Sequence, residues 1–233
     1  MINKSSNLKA IVKIAEALEE LKEEVVFVGG AVVGLYANDS AAEDVRPTKD
    51  VDITVHIVST VELEKLRLKL LKKGFKQSPE EKVICRFLYQ GIKLDVMSTK
   101  EVGWAPSNSW FGPGFKHLEK HKINAITVNL LPLSYYLATK FAAFHDRGGT
   151  DPRFSKDFED ITYLLDNRTD LVESLARAPE DVKKYLHIEF KRILSDKILQ
   201  EALMANMSHL IQTKRYKMVE SKLKEIVKDF KQG

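Results

Sequence analysis

Three aspartates have the type and the spacing to bind a metal ion. Asp50 and Asp52 are separated by one residue in an apolar, β-branched segment, and Asp95 lies in a second segment of alternating polarity. Side chains repeat every second residue along a strand, so Asp50 and Asp52 project from one face. If the strands of Asp52 and Asp95 are neighbours, the three carboxylates repel strongly unless a cation lies between them. The pattern therefore predicts a site for Mg²⁺ or Mn²⁺, which prefer oxygen ligands.

A Gly-Gly pair upstream gives the D-x-D pattern its context. Residues 25–28 (VVFV) predict a short buried strand, followed at once by Gly29, Gly30 and a helix start. Backbone N–H groups at such a turn can approach a phosphate closely, because no side chain blocks them. A bare Gly-Gly is also typical of ordinary turns, and a lone D-x-D of strand ends. The ordered set is far more specific than either part.

This ordered set resembles the DNA polymerase β-like nucleotidyltransferase superfamily, and most closely its abortive-infection type II (AbiEii/AbiGii) toxin-like branch. Residues 46–52 (RPTKDVD) look like that branch's R-x-T-x-D-x-D block, and residues 93–95 (KLD) look like its K-x-D block. Residues 137–147 (LATKFAAFHDR) and 155–161 (SKDFEDI) look like its helical segment, with a Lys, an Arg and a D-x-x-D pair. The resemblance covers roughly residues 20–166.

The resemblance implies a metal-dependent enzyme that moves an NMP from an NTP substrate to an acceptor hydroxyl and releases pyrophosphate. Asp50, Asp52 and Asp95 are then the catalytic residues and the ligands of Mg²⁺ or Mn²⁺. Six residues are expected to bind the nucleotide: Gly29, Gly30, Thr48, Lys93, Lys140 and Arg147. The expected acceptor is RNA or tRNA, and the expected partner is the cognate antitoxin of a toxin–antitoxin pair.

Two alternatives stay open at this point. An enzyme of similar fold could act on a small molecule such as an aminoglycoside, or the chain could be a catalytically silent nucleotide- or RNA-binding module. The presence of all three carboxylates argues against the silent module. Residues 191–233 hold ten Lys or Arg against five Asp or Glu, which favours an acceptor that carries phosphates. On charge alone, however, a basic helix is more often a solvated face.

Composition is typical of a soluble globular protein. The chain has 233 residues, of which 44% are hydrophobic and 30% charged. No apolar run approaches the roughly 20 residues needed to cross a bilayer, and the first residues lack the apolar segment of a secretory signal. We therefore expect a cytoplasmic protein without a membrane partner. The single cysteine, Cys85, lies in an apolar strand and is expected to be a buried thiol, not a nucleophile.

The fold class predicted from periodicity is α+β. A small mixed β-sheet with flanking helices forms the nucleotidyltransferase core, and a helical domain follows it. The boundary is placed near residue 130, which gives a catalytic domain at 1–130 and a helical domain for nucleotide and acceptor binding at 131–233. The predicted elements are helices at 7–23, 30–37 and 60–73, strands at 25–29, 51–57, 83–90, 92–98 and 124–130, and helices from 132 onward.

Three local features refine this prediction. Thr60 is the expected N-cap of the third helix, and Gly74 its stop. Gln90-Gly91 is the expected turn of a β-hairpin. Residues 101–116 combine turn-forming residues with the aromatic side chains of Trp104–Phe115, which suits either a loop over a nucleotide base or a hydrophobic strap on the sheet.

Overall fold

The computed structural model describes residues 2–77, 84–147, 151–208 and 211–229. Within these ranges a six-stranded mixed sheet is combined with α-helices, so the predicted α+β fold is confirmed. The strands are β1 Val25–Val28, β2 Asp50–Val55, β3 Arg86–Tyr89, β4 Ile92–Ser98, β5 Glu119–Ile123 and β6 Ile126–Leu130. The helices are α1 Ile2–Leu18, α2 Val33–Tyr36, α3 Thr60–Lys72, α4 Phe111–Gly114, α5 Leu133–Asp146, α6 Lys156–Asn167, α7 Leu171–Ala176, α8 Glu180–Ser195, α9 Lys197–Ala205 and α10 Gln212–Asp229.

The chain divides into two compact units. The sheet unit comprises residues 1–34 and 44–132, and the helical unit comprises residues 35–43 and 133–233. The short segment 35–43 is tied to the helical unit by hydrogen bonds. The backbone N–H of Asn38 donates to the Asn167 carbonyl at 3.1 Å, and the Asn38 amide donates to Asp170 at 2.6 Å. The chain therefore enters the helical unit once before β2 returns it to the sheet.

The strand order of the sheet is β3-β4-β2-β1-β6-β5. β1 lies inside the sheet, antiparallel to β2 and parallel to β6, and all four of its side chains are buried. β2 and β4 are parallel neighbours. The hairpins β3–β4 and β5–β6 form the two edges. This order places the D-x-D strand directly beside the strand of Asp95.

Burial alternates along the two strands that carry the aspartates. Val51 and Ile53 of β2, with Leu94 and Val96 of β4, are at most 1% exposed. Burying each such side chain contributes about 1.5–3 kcal/mol relative to leaving it in water. A shift of either strand by one residue would turn these side chains to the opposite face. The core face thus fixes the register in which the aspartates meet.

Local details confirm some predictions and correct others. Gln90 and Gly91 both have positive φ, as a two-residue hairpin turn requires, and Gly74 with φ +87° ends α3 as expected. The expected N-cap at Thr60 is wrong, because the Ser59 hydroxyl accepts the Glu62 N–H. Of the predicted strand at 83–90, residue 83 lies outside the described residues.

The aromatic segment after β4 is anchored on the sheet unit. The indole Nε1 of Trp104 donates to the Glu64 carboxylate on α3 at 2.8 Å, and its ring centroid lies 5.8 Å from that of Phe87. Phe111 is buried. These contacts favour the hydrophobic-strap interpretation for this part of the segment. Across the described ranges, no helix combines the length and the apolar character needed to cross a membrane.

Candidate active site

The three predicted aspartates lie on one face of the sheet, which we call the acidic face (Asp50, Asp52, Asp95). Asp52 is in register with Asp95 on the neighbouring parallel strand, and Asp50 is in register with Lys93. Residues in register share a face, and Asp50 and Asp52 are two apart on β2, so all three carboxylates project together. The side chain of Asp50 is 36% exposed and that of Asp95 is 14% exposed. The face is therefore shielded at Asp95 and open at Asp50.

The backbone of Gly29 lies close to the side chain of Asp52. It follows β1 with φ +72°, a conformation that favours glycine. A Cβ atom at this position would lie 1.8 Å from Asp52 Oδ2 and 2.8 Å from Asp52 Cβ. A side chain here would thus overlap the aspartate. A glycine is therefore required at this position so that the Asp52 carboxylate can come close to the backbone. The sequence analysis instead expects a phosphate to approach this turn. Gly30 begins the single 3₁₀ turn that follows.

The cation between Asp50 and Asp95 is the guanidinium of Arg86, which sequence reasoning missed. Arg86 Nε and Nη2 donate to the two carboxylate oxygens of Asp95, both at 2.7 Å. Nη2 also lies 3.3 Å from Asp50 Oδ2. Arg86 is in register with Asp95 across the β3–β4 hairpin. The two-residue turn at Gln90-Gly91 fixes that register, so counting back from the turn would have identified Arg86.

The donor chemistry of the acidic face fits a hard divalent cation. Three carboxylates converge, and Gly29 leaves room for Asp52. In the described ranges, no three acidic, histidine or cysteine side chains are arranged as a preformed metal site. The Arg86 guanidinium instead takes one lone pair on each oxygen of Asp95. The residues suit a metal, and Arg86 would compete with it for this carboxylate.

A buried asparagine fixes the chain just before the D-x-D strand. The Asn7 amide nitrogen donates to the Arg46 carbonyl at 3.1 Å, and its oxygen accepts from the Thr48 N–H at 3.0 Å. The Thr48 hydroxyl, expected to bind nucleotide, donates to the Asp50 carbonyl at 3.0 Å. Thr48 therefore also supports the backbone of the site. Asn7 was missed because a lone polar residue in a helix carries no sequence signal.

Lys140 and Arg147 lie in the helical unit, in a charged cluster that we call the lysine network (Lys140, Arg147, Asp157, Asp160). Lys140 Nζ is 2.6 Å from Asp160 Oδ2 and 3.3 Å from Asp157 Oδ1. Arg147 Nη1 pairs with the other oxygen of Asp157. Lys140 and Asp160 are 7% and 1% exposed. Desolvated charges at these distances bind each other strongly, so α5 and α6 hold this ammonium in a fixed position.

Two other titratable side chains, His145 and Cys85, lie near the predicted site residues in the sequence. His145 Nε2 contacts the buried Glu189 carboxylate on α8 at 2.9 Å. Burial, together with the smaller effect of the charges of Asp95 and Asp52, raises the pKa of the Cys85 thiol to about 11. At neutral pH the thiol is therefore protonated and a poor nucleophile.

Part of the basic charge of α10 is used inside the helical unit. Arg215 Nε donates to both carboxylate oxygens of Asp166, at 2.7 and 2.6 Å. Lys222 Nζ donates to the carbonyls of Leu165 and Arg168 at the end of α6. Burial lowers the pKa of Lys222. The basic residues left exposed on α10 are Lys214, Lys217, Lys224 and Lys228.

Two solved structures of nucleotidyltransferase-like proteins match the chain. An antigenic nucleotidyltransferase-like protein from Paracoccidioides brasiliensis is 20% identical, with a TM-score of 0.52 over 94% of this chain and 93% of its own. A putative nucleotidyltransferase from H. pylori is 13% identical, with a TM-score of 0.44 over 97% of this chain and 95% of its own. None of the curated proteins compared matches the chain. The first likeness shows a shared fold.

The family comparison goes further. A family model described as nucleotidyl transferase AbiEii toxin, type IV TA system, matches residues 14–231. The match includes the whole sheet, the acidic face and most of the helical unit, and it confirms the resemblance identified from the sequence. The chain therefore belongs to the AbiEii nucleotidyltransferase toxin family and is a nucleotidyltransferase.

Proposed function

We propose that this nucleotidyltransferase moves a nucleoside monophosphate from a nucleoside triphosphate to a hydroxyl of RNA, with Mg²⁺ or Mn²⁺ at the acidic face. The observation that supports this most directly is the register of Asp52 with Asp95, beside a glycine that the Asp52 carboxylate approaches closely. Phosphoryl chemistry depends mainly on positioning and on neutralising phosphate charge, and the acidic face is suited to hold the ions that do this.

Each residue of the sheet unit then has a role. Asp50, Asp52 and Asp95 would hold the divalent cation, which when bound neutralises phosphate charge and lowers the pKa of the acceptor hydroxyl. The Asp95 carboxylate is the proposed acceptor of the hydroxyl proton. Lys93, in register with Asp50, is the proposed donor to a phosphate oxygen. The backbones of Gly29 and Gly30 remain proposed phosphate donors, with Thr48 supporting them.

We also propose that the helical unit binds the triphosphate and the acceptor, with 1–130 as the catalytic domain and 131–233 as the binding domain. Lys140 of α5 is a proposed triphosphate ligand, together with Arg147, which directly follows the end of that helix. The partners Asp157 and Asp160 hold the ammonium in one orientation, which reduces the entropy lost on binding.

RNA is the preferred acceptor because it carries phosphates that exposed lysines can bind. Four such lysines lie along α10, and the chain carries a net charge of +4. Neutralising phosphates with lysine gives an affinity that falls as salt rises. The proposal therefore predicts salt-dependent RNA binding by the full chain.

The test is nucleotidyl transfer from α-³²P-labelled NTPs in Mg²⁺ or Mn²⁺, with total RNA, purified tRNA and an aminoglycoside as separate acceptors. Label on RNA supports the proposal, label on the aminoglycoside supports the small-molecule alternative, and no transfer in any arm contradicts it. Asp50→Asn should lower transfer by more than about a hundredfold, since even loss of a group supporting a metal ligand costs about 10- to 100-fold. Glu119→Gln, on the far edge strand of the same sheet, should leave transfer unchanged.

A growth assay tests the action as a toxin. Induced expression of the wild-type chain should arrest the growth of bacterial cells, and Asp52→Asn should not. Growth should resume when a cognate antitoxin is co-expressed. Arrest by Asp52→Asn equal to that by the wild type would show that toxicity does not come from nucleotidyl transfer.

A further inference from the structure

The acidic face contains a positive charge that its proposed chemistry does not use. Arg86 donates two hydrogen bonds to Asp95 and one to Asp50. We propose that Arg86 is a built-in counter-cation, which binds the metal-ligating carboxylates in the metal-free protein and competes with a divalent cation for them. This inference rests on the proposed function, because it assigns a positioning residue to the same site.

Geometry makes the competition direct. The planar fork of a guanidinium matches a carboxylate, and here it takes one lone pair on each oxygen of Asp95. Arg86 and Asp95 are each only 14% exposed, so water weakens this pair less than it would at the surface. A divalent cation that binds the same oxygens has fewer lone pairs available and is repelled by the positive charge of Arg86. The two cations therefore compete for Asp95.

Charge balance explains why the exchange is possible. The acidic face carries three carboxylates, against the guanidinium of Arg86 and the ammonium of Lys93 in register with Asp50. These five side chains together carry a net charge of −1, so the face still attracts cations while Arg86 is bound. Arg86 thus stabilises the metal-free site without neutralising it.

The position of Arg86 allows it to leave. It lies on β3, at the edge of the sheet, and its long side chain has several rotatable bonds. The phosphates of an incoming nucleotide are acceptors to which a guanidinium binds bidentately. Release of Asp95 by Arg86 is then favoured when nucleotide and cation arrive together.

The test is Mn²⁺ binding without nucleotide, measured by calorimetry and by electron paramagnetic resonance of free Mn²⁺. Arg86→Met, which removes the competitor, should bind Mn²⁺ at least tenfold more tightly than the wild type, and Arg86→Lys, which keeps the charge but not the fork, should lie between them. Arg67→Met is the matched control, because Arg67 is also paired with a carboxylate, on α3 of the same unit. It should change the affinity by less than twofold.

A purely structural role of Arg86 predicts a different result. In that case Arg86→Met lowers the melting temperature but leaves Mn²⁺ affinity unchanged or weaker, and this overturns the inference. If Arg86→Met does not fold, Arg86→Lys decides in the same way. Adding Asp95→Asn to Arg86→Met should abolish the gain, and a gain that persists places the ion elsewhere and also overturns the inference.

The two proposals fail separately. Transfer by the wild type with no gain in Mn²⁺ affinity in the Arg86 variants overturns the counter-cation role alone. A gain in affinity in a protein that labels no acceptor overturns the proposed function and leaves the counter-cation role standing.

Discussion

The acidic face and the lysine network are built from the same residue types but differ in burial and in charge balance. The lysine network has two cations and two carboxylates, and three of its four side chains are almost fully buried. The acidic face has three carboxylates against two cations, and Asp50 is partly open to solvent. One cluster is internally neutral, whereas the named residues of the other have a net negative charge and are partly open to solvent at Asp50.

This difference indicates what each cluster is for. A neutral, desolvated network fixes side-chain positions, and removing one partner leaves a buried charge without compensation. A cluster with excess charge is less favourable in the free protein and gains stability when a counter-ion binds. Substitutions should therefore lower stability more in the lysine network than at the acidic face.

The sharpest test compares one carboxylate from each cluster. Asp160→Asn removes the closer partner of the buried Lys140 ammonium, and it should lower the free energy of unfolding by about 3–5 kcal/mol. Asp50→Asn removes a partly exposed carboxylate from a repulsive cluster, so it should change that free energy by less than about 1 kcal/mol. Urea unfolding followed by circular dichroism measures both. Equal losses would mean that the two clusters do not differ as argued.

A second comparison separates backbone strain from overlap with Asp52. Gly29 and Gly91 both have positive φ, but a Cβ at Gly29 meets Asp52 whereas a Cβ at Gly91 meets nothing within 4 Å. Gly91→Ala should cost only the strain of the backbone, about 1–2 kcal/mol. Gly29→Ala adds overpacking and should cost about 2–4 kcal/mol, with loss of nucleotidyl transfer. Similar unfolding free energies for the two variants would show that Asp52 moves aside freely.

A third comparison uses two buried asparagines of the sheet unit. Asn7 binds the segment before the D-x-D strand, and Asn129 donates to the Glu23 and Val25 carbonyls beside β1. Replacing either with Ala should lower the free energy of unfolding by about 1–2 kcal/mol, since each loses two hydrogen bonds. Only Asn7→Ala should also weaken Mn²⁺ binding. Unchanged Mn²⁺ affinity in Asn7→Ala would show that the aspartates do not depend on this support.

Much of the acidic face followed from local patterns in the sequence. The alternation of Leu94, Asp95 and Val96 predicted which face the carboxylate takes, and the fold class followed from the order of the elements. Assignment of the nucleotide- and metal-binding residues stays a prediction, because only a bound ligand or a variant tests it.

Other features depend on contacts distant in sequence. β5 (EKHKI) was not predicted, because it is a polar edge strand and all but its last residue lie outside the core. No local pattern in the sequence predicts that segment 35–43 belongs to the helical unit, because Asn38 binds Asp170, which is 132 positions away in the chain. A charge count also does not show that Arg215 and Lys222 of α10 bind Asp166 and the end of α6.

The smallest expected effect is a change in the pKa of Cys85, and it measures the excess charge on the acidic face most directly. Burial raises the pKa of Cys85 to about 11, and the negative charge of Asp95 contributes to that rise. A raised thiol pKa means that the fold favours the neutral form, so its contribution to stability is complete below about pH 9 and is lost as pH rises towards 11.

Asp95→Asn should lower the Cys85 pKa but leave it above its ordinary value, because burial remains, whereas Asp157→Asn in the lysine network should not change it. Since Cys85 is the single cysteine, ¹³C-cysteine labelling gives one NMR signal to follow with pH. A Cys85 pKa that is the same in Asp95→Asn and in the wild type would mean that Arg86 already neutralises Asp95 completely, and the contrast between the two clusters would then rest on burial alone.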